Sequence, residues 1–370
     1  MHSLIASPFL EQHVLVRPGA RGGLLLPEAN YQELLASGPD AAVPSWLSDT
    51  AAGQWPELDM TGRALGDVVL VRAPSPWGYG RASWEINMNC NLKCKQCYLG
   101  IKVNSGMPRK DKLRCLGIMA EAGVLWLQIT GGEPTLDRDF MAAYRHAYKL
   151  GMMITVSTNA TLLWRENLLR MFKECPPYRV TVSMYGAAKA SYDELTQHQG
   201  GWDLFVQGMN AARREKLPLR MSVIVTEDNA HEEQAMVDLC KSWGVEHNVF
   251  TNMTPTIYGG GEVLTAQSKD HLRMRKPFGG CNAGHTFFHT DPHGLVSICK
   301  IGRDDQISLP SEGIQGLARL GSIADRLMLR TGGCTGCQLS GSCTVCRPLA
   351  KHYQEAKAPL EMYCQHGMKR

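Results

Sequence analysis

The sequence predicts an α/β protein: a partial (β/α)6 barrel with a small α+β extension before it and a loop-rich cysteine module after it. Three observations carry this. Between Arg81 and about Phe250, six strand-like apolar segments alternate with helical ones. After residue 255 the alternation stops, and residues 275–370 hold seven of the 13 cysteines. Ahead of Arg81, two short apolar runs flank a Gly-Pro turn and precede a short helical stretch. The expected units are therefore 1–80, 81–255 and 256–370.

Composition sets outer bounds. The 370 residues are 44% hydrophobic and 20% charged, as in ordinary globular proteins. A net charge of +4 gives no case for nucleic acid or an anionic membrane as a partner. No apolar run approaches the roughly 18 residues of a membrane-spanning helix. The start, MHSLIASPFLEQHVLV, has no basic segment and little apolar length before Glu11. A signal peptide is not expected, and the expected location is the cytoplasm.

In chain order, HVLV (13–16) and GLLL (23–26) predict a hairpin through RPGARG, then a helix over PEANYQELLAS. Residues 38–79, rich in Pro, Gly, Ala and Trp, read as a loosely packed connector with one strand at 67–73. Strands are expected at 84–88, 124–130, 153–158, 178–184, 219–226 and 246–250. Helices are expected near 109–122, 137–150, 163–173, 203–216 and 229–243. The strands read as continuous apolar runs, the pattern of a parallel sheet covered on both faces. Six β/α units make a TIM-like barrel short of the full eight, whose chemistry sits at the C-terminal strand ends. Those ends carry a cysteine loop, then GGEP, then Thr158-Asn159. The break after 255 includes a Gly triplet within 259–262, and the region beyond shows little helical periodicity. It reads as a module in which metal cross-links stand in for a large core.

Cys90, Cys94 and Cys97 form C-x3-C-x2-C in NMNCNLKCKQCYLG. Three thiolates in one loop can hold three irons of a [4Fe–4S] cube and leave the fourth iron open. A zinc site would need a fourth local ligand, and none is nearby. Cys115, Cys175 and Cys240 fit no motif and read as inert buried thiols.

This triplet resembles the signature of the radical SAM superfamily. Gln96 departs from the aromatic residue that many members place before the third cysteine, and Tyr98 follows it as in peptide-modifying members. By the same resemblance, the Gly131-Gly132-Glu133-Pro134 backbone and the Glu133 carboxylate contact the methionyl amine of S-adenosylmethionine. A carboxylate suits an ammonium, and two glycines permit close approach. Tyr98, Ser157, Thr158, Asn159 and Ser183 are expected around the rest of that cofactor, although cap or turn hydroxyls are the plain alternative for the strand-end residues.

The C-terminal cysteines read Cys281-x12-Gly294-x4-Cys299, Cys334-x2-Cys337-x5-Cys343-x2-Cys346, then Cys364. This resembles the SPASM auxiliary-cluster module, with two residues rather than three before Cys346. The resemblance implies two auxiliary [4Fe–4S] clusters, one on Cys281, Cys299 and Cys346, the other on Cys334, Cys337, Cys343 and Cys364. The three-cysteine set implies an open iron or a ligand such as His285, His289 or Asp291.

Such relatives generate a 5′-deoxyadenosyl radical and oxidise peptides or proteins, drawing electrons from a donor such as flavodoxin or ferredoxin. The expectation is a C–S or C–C cross-link in a ribosomally made precursor peptide, with residues 1–80 as a leader-recognition unit. Sulfatase-maturase-like or redox-cofactor-precursor oxidation is the alternative within that chemistry. A non-catalytic iron–sulfur carrier or zinc scaffold is the alternative outside it. Asp137, Asp193 and Tyr185 are candidates for a base, each with an equally good capping or surface explanation.

Overall fold

The structure is a computed structural model that describes residues 2–257, 266–268, 281–329, 334–339, 343 and 345–364. The Gly triplet expected to mark the end of the barrel lies outside the described residues. Two sheets organise the chain.

The first sheet has the order β3-β2-β1-β4, with β1 (Leu4–Phe9), β2 (Gln12–Val16), β3 (Gly23–Leu26) and β4 (Val69–Val71). The expected hairpin is present, with His13 opposite Leu26 and Val16 opposite Gly23. The expected helix follows at Glu28–Ala36. Strand β1 was not expected. It pairs antiparallel with β2 and parallel with β4, but β4 ends opposite Ala6. Pro8 therefore faces a single neighbour, and its missing N–H leaves no gap in a central ladder.

Residues 38–79 are not a loose connector. A helix at Ser45–Gln54 and a turn at Leu65–Val68 bury Leu47, Ala51, Trp55, Met60, Leu65 and Val68 against Leu4 and Leu15. The apolar residues are too widely spaced to show a period, yet they converge beneath one sheet face. On the other face Ile5 and Val16 meet Leu125 and Met153 of the barrel.

The second sheet has nine strands. Its first six are β5 (Arg81–Glu85), β6 (Trp126–Thr130), β7 (Met153–Thr158), β8 (Arg179–Met184), β9 (Leu219–Ile224) and β10 (Glu246–Phe250). They lie side by side in chain order, all parallel, as the sequence predicts. Strand β5 starts three residues before the predicted WEINM because Arg81 to Glu85 pair with Trp126 to Thr130, and the chain then leaves for the cysteine loop. From the C-terminal third come β11 (Phe287–Thr290), parallel to β5, then β12 (Leu295–Ser297) and β13 (Ile307–Ser308), both antiparallel. The sheet stays open, with β10 and β13 at its edges.

Strands β7 to β9 correct one expectation: they alternate. Val156, Val180, Val182, Met221 and Val223 are buried, while Ser157, Thr181, Ser183, Arg220 and Ser222 are partly exposed. The apolar rows lie in the main core, and the polar rows line an open lumen. The outer helices are amphipathic; in Phe140–Lys149 the buried residues are Phe140, Ala143, Tyr144, Ala147 and Tyr148, the spacing of one helical face. Two things went unforeseen: the helix Lys189–Thr196, and the helices Leu320–Leu327 and Arg347–Glu355 in the C-terminal third.

Candidate metal and cofactor site

The loop carrying Cys90, Cys94 and Cys97 leaves the C-terminal end of β5. Its backbone is tied to the unforeseen helix: Lys93 N–H donates to Thr196 O at 2.9 Å and Lys95 N–H to Leu195 O at 3.1 Å. The Gly131-Gly132 turn after β6 crosses beneath it. Gly132 N–H reaches Asn87 O at 3.1 Å and Glu133 N–H reaches Asn89 O at 2.7 Å. Gly131 has φ of 148°, and a Cβ on Gly132 would lie 2.2 Å from Asn89 O, so the crossing admits no side chain.

The three thiols open on a cavity of about 560 Å3. Tyr98, Gly131, Gly132, Ser157, Thr158, Asn159 and Ser183 line the same cavity, so most of the expected cofactor contacts are brought together. Glu133 and Pro134 are not among its lining. Pro134 opens a buried turn. The Glu133 carboxylate is wholly buried and accepts from Thr135 N–H (3.1 Å), Thr135 Oγ1 (2.5 Å), Thr158 Oγ1 (2.8 Å) and Asn159 N–H (2.7 Å). It fixes the Thr158-Asn159 corner, and Asn159 Nδ2 in turn donates to Cys90 Sγ at 3.8 Å. Burial raises the Glu133 carboxyl, and these donors pull it back. Burial also pushes the Cys90 thiol up to about 11 and Cys94 up to about 12, with Lys102 working against it at both. Thiols must lose protons to bind iron, so loading this loop releases protons.

Tyr98 turns away from the thiols to bond Glu85 Oε1 at 2.8 Å. Glu85, wholly buried on β5, also accepts from Arg303 at 2.8 Å, and its other oxygen lies 3.6 Å from His289 Nε2. Lys300 Nζ sits 3.8 Å above the Tyr98 ring. This seam joins the cysteine loop to the segment that carries Cys299.

At the N-terminal strand ends a second cavity, about 790 Å3, is lined by Cys281 and Cys299. Gln128 and Thr181 line both cavities, so the lumen runs between the two cysteine groups. Burial raises the Cys299 and Cys346 thiols, and close thiols add to it: Cys281 acts on Cys299, and both act on Cys346. The three cysteines expected to share a cluster are thus neighbours. The suggested extra ligands are engaged elsewhere. His285 pairs with Asp325 at 3.1 Å, His289 Nδ1 meets Ser83 Oγ at 2.8 Å, and Asp291 accepts from His293 and Leu295 N–H at 2.8 Å each. In the last group Cys337 N–H bonds Cys334 O at 3.3 Å, closing one turn. Cys364 ends a short turn, its N–H on Leu360 O at 2.9 Å. Cys115, Cys175 and Cys240 are buried in the core, as expected.

The donor set fits iron–sulfur clusters, whose sulfurs take N–H bonds that tune the metal. Leu92 N–H donates to Cys90 Sγ (3.4 Å), Ala283 N–H to Cys281 (3.4 Å), Gly302 N–H to Cys299 (3.2 Å), Gln354 Nε2 to Cys334 (3.3 Å) and Arg347 to Cys343 (3.1 Å). Among the described residues no three His, Cys, Asp or Glu side chains converge as a single ion requires.

A family profile, the Radical SAM superfamily, matches residues 84–240. Residues 84–240 are a radical SAM domain. Such a domain implies a [4Fe–4S] cluster and S-adenosylmethionine. An AdoMet-dependent heme synthase of Oleidesulfovibrio alaskensis is 23% identical over 51% of this chain and 50% of its own length. A PqqA peptide cyclase of Rhodopseudomonas palustris is 24% identical over 58% of this chain and 65% of its own. The chain thus spans about half to two thirds of the length of these curated relatives. Streptococcus suis SuiB bound to its precursor peptide SuiA shares the fold at a TM-score of 0.62 and 14% identity, covering 98% of this chain and 97% of SuiB.

Of the base candidates, Asp137 is held by Lys112 Nζ at 2.7 and 2.8 Å, and Asp193 caps Gly200 and Trp202 N–H at 2.8 Å each. Tyr185 does line the radical SAM cavity. Sequence reasoning missed Gln128, Thr181, Arg220, Ser222, Asn248 and Lys300, which also line it. The signal was present as a two-residue polar period in β8 and β9.

No described helix is long and apolar enough to cross a membrane.

Proposed function

We propose that this chain is a radical SAM enzyme that oxidatively modifies a peptide, forming a C–S or C–C cross-link in a ribosomally made precursor. The observation that carries the reading is the Cys90, Cys94 and Cys97 triplet opening on the cavity that Gly131-Gly132, Ser157, Asn159 and Ser183 share. Cys90, Cys94 and Cys97 would hold a [4Fe–4S] cluster there, which would supply the one-electron reduction that splits S-adenosylmethionine into methionine and a 5′-deoxyadenosyl radical. The chain's own part is to hold the cofactor against the lumen wall, keep water out, and present a substrate from below. Cys281, Cys299 and Cys346 are assigned to one auxiliary cluster and Cys334, Cys337, Cys343 and Cys364 to another. Cys281 and Cys299 line the far end of the lumen, a position that suits removal of the substrate's second electron, and a flavodoxin- or ferredoxin-type protein is the proposed donor.

Residues 1–80, 81–255 and 256–370 are proposed as leader-recognition, radical SAM and auxiliary-cluster units. The free edge of β3, with Leu25 66% exposed, supports strand addition by a leader peptide. A second reading, oxidation of a redox-cofactor precursor, is favoured by the heme synthase among the relatives.

The test is 5′-deoxyadenosine release by anaerobically reconstituted, dithionite-reduced protein, beside a Cys90→Ala/Cys94→Ala/Cys97→Ala variant. Release by the parent alone supports the reading. Silence from a parent fully loaded with iron moves it to an electron carrier.

A further inference from the structure

Three cationic side chains line the radical SAM cavity, Lys102, Arg220 and Lys300, and among the described residues no carboxylate does. Two of them serve the cysteine loop. Lys102 Nζ donates to Leu92 O at 2.7 Å and offsets Cys90 and Cys94. Lys300 lies over the Tyr98 ring and faces Cys97.

Arg220 stands apart from both. It is on β9, four strands round the sheet from β5, in register with Thr181 of β8. Asn248 Oδ1 accepts from one of its amino groups at 3.0 Å, which orients the guanidinium without neutralising it. Its Nε is buried and has no hydrogen-bond partner. The carboxylate in register with it on β10, Glu246, is spent on Arg21 at 2.7 Å. An oriented guanidinium whose in-register carboxylate is engaged elsewhere, on a wall of hydroxyls, matches a carboxylate in geometry and charge.

Depth separates this position from the cofactor's. Thr181 lines both cavities, so the row it shares with Arg220 lies between the two cysteine groups. Ser183 and Ser222 form the next row toward the cysteine loop. We propose that Arg220 is a carboxylate-binding subsite of the lumen, held by Asn248, that reads an anionic group of the substrate. This rests on the functional reading above and narrows it to a carboxylate-bearing substrate, which for a peptide means an Asp or Glu side chain or the terminal carboxylate. S-adenosylmethionine carries a carboxylate of its own, so the experiment separates the two sources.

The probe is glutarate, with glutaramide as its neutral twin, followed by saturation-transfer NMR on the reconstituted protein with S-adenosylmethionine present. Glutarate receives saturation from the parent and glutaramide does not. Arg220→Gln weakens glutarate on the order of tenfold or more, and Arg220→Lys restores part of it. S-adenosylmethionine and its decarboxylated form bind parent and Arg220→Gln alike. Absence of a glutarate signal in the parent overturns the proposal. So does an Arg220→Gln variant that loses affinity for S-adenosylmethionine but not for the decarboxylated form, because the cofactor's carboxylate is then the ligand. Normal glutarate binding beside silence in the 5′-deoxyadenosine assay would refute the enzymatic reading and leave the subsite standing.

Discussion

Replacing Glu85 by leucine should destabilise the metal-free protein by about 3–5 kcal/mol, the usual loss when one partner of a buried ion pair is removed. The structure supplies the reasons. Glu85 is wholly buried, and one oxygen accepts both Tyr98 OH and Arg303 at 2.8 Å. Its removal leaves the Arg303 guanidinium, whose side chain is 9% exposed, without its carboxylate. The Tyr98 hydroxyl also loses its acceptor, which by itself costs about 1–3 kcal/mol. The two losses share one oxygen, so they do not simply add. Arg303→Met on its own should also destabilise, because it removes a donor to Glu85 Oε1 and one of the cations that hold Glu85 charged. The double variant Glu85→Leu/Arg303→Met removes both charges of this pair, so it should cost less than the two single variants together, keeping mainly the loss of the Tyr98 acceptor and of the Lys300 attraction. A double-mutant cycle by urea denaturation should therefore give a coupling on the order of 2 kcal/mol. A coupling below about 0.5 kcal/mol would refute the pairing as an energetic unit.

Three further outcomes follow from the same geometry. Gly132→Ala drives a Cβ into Asn89 O, so the variant should lose iron from the Cys90 loop and affinity for S-adenosylmethionine, whereas Gly53→Ala, with nothing within 4 Å, should retain both; iron per chain and equilibrium binding read this out. Acid should weaken the fold in two windows. Burial lowers the His289 pKa, with Glu85 pulling it back, so its stabilisation is present above about pH 6.5 and is lost as pH falls below that. Burial works to raise the Glu85 carboxyl, but His289, Lys300 and Arg303 hold it well below its usual range, so its share is lost only as pH falls below about 4.3. Melting temperature against pH should show the upper window flattened in His289→Phe and kept in His285→Phe. Lastly, Cys115→Ala/Cys175→Ala/Cys240→Ala should bind as much iron as the parent, since those thiols are buried in the apolar core; an iron deficit would reassign one of them as a ligand.

How far the sequence reached depends on the kind of signal. Strands β7 and β10 fall on the predicted residues because Gly151 and Gly244 stand just before them and Asn159 and Asn252 just after. Cysteine spacing within one loop limits where thiols can go and brought Cys90, Cys94 and Cys97 onto one cavity, whereas the grouping of the neighbouring thiols Cys281, Cys299 and Cys346 came from the resemblance to the SPASM module. Strand β11 was invisible: FFHT has four residues, and its place beside β5 depends on partners some two hundred positions away. Glu133 shows the same limit at a single residue. Its position after two glycines identified the motif, but only the fold shows four donors converging on its carboxylate and turning it from the cavity toward the Thr158-Asn159 corner.

The parallel pairing of β11 with β5 has a consequence for the two ends of the lumen. It sets His289 against Ser83 and places the following segment, with Lys300 and Arg303, against Tyr98 and Glu85. The cysteine loop after β5 and the segment carrying Cys299 are thereby fastened to the same strand through buried, charged contacts rather than by apolar packing alone. Such contacts lose much more by partial separation than apolar ones do, because each charge would be left unpaired in a medium of low dielectric. A rigid seam suits the electron transfer proposed above between the two cysteine groups. Flexibility needed to admit a substrate would then come from elsewhere around the lumen, and β10 is an open edge with Phe250 46% exposed whose ion pair, Glu246 with Arg21, is exposed rather than buried.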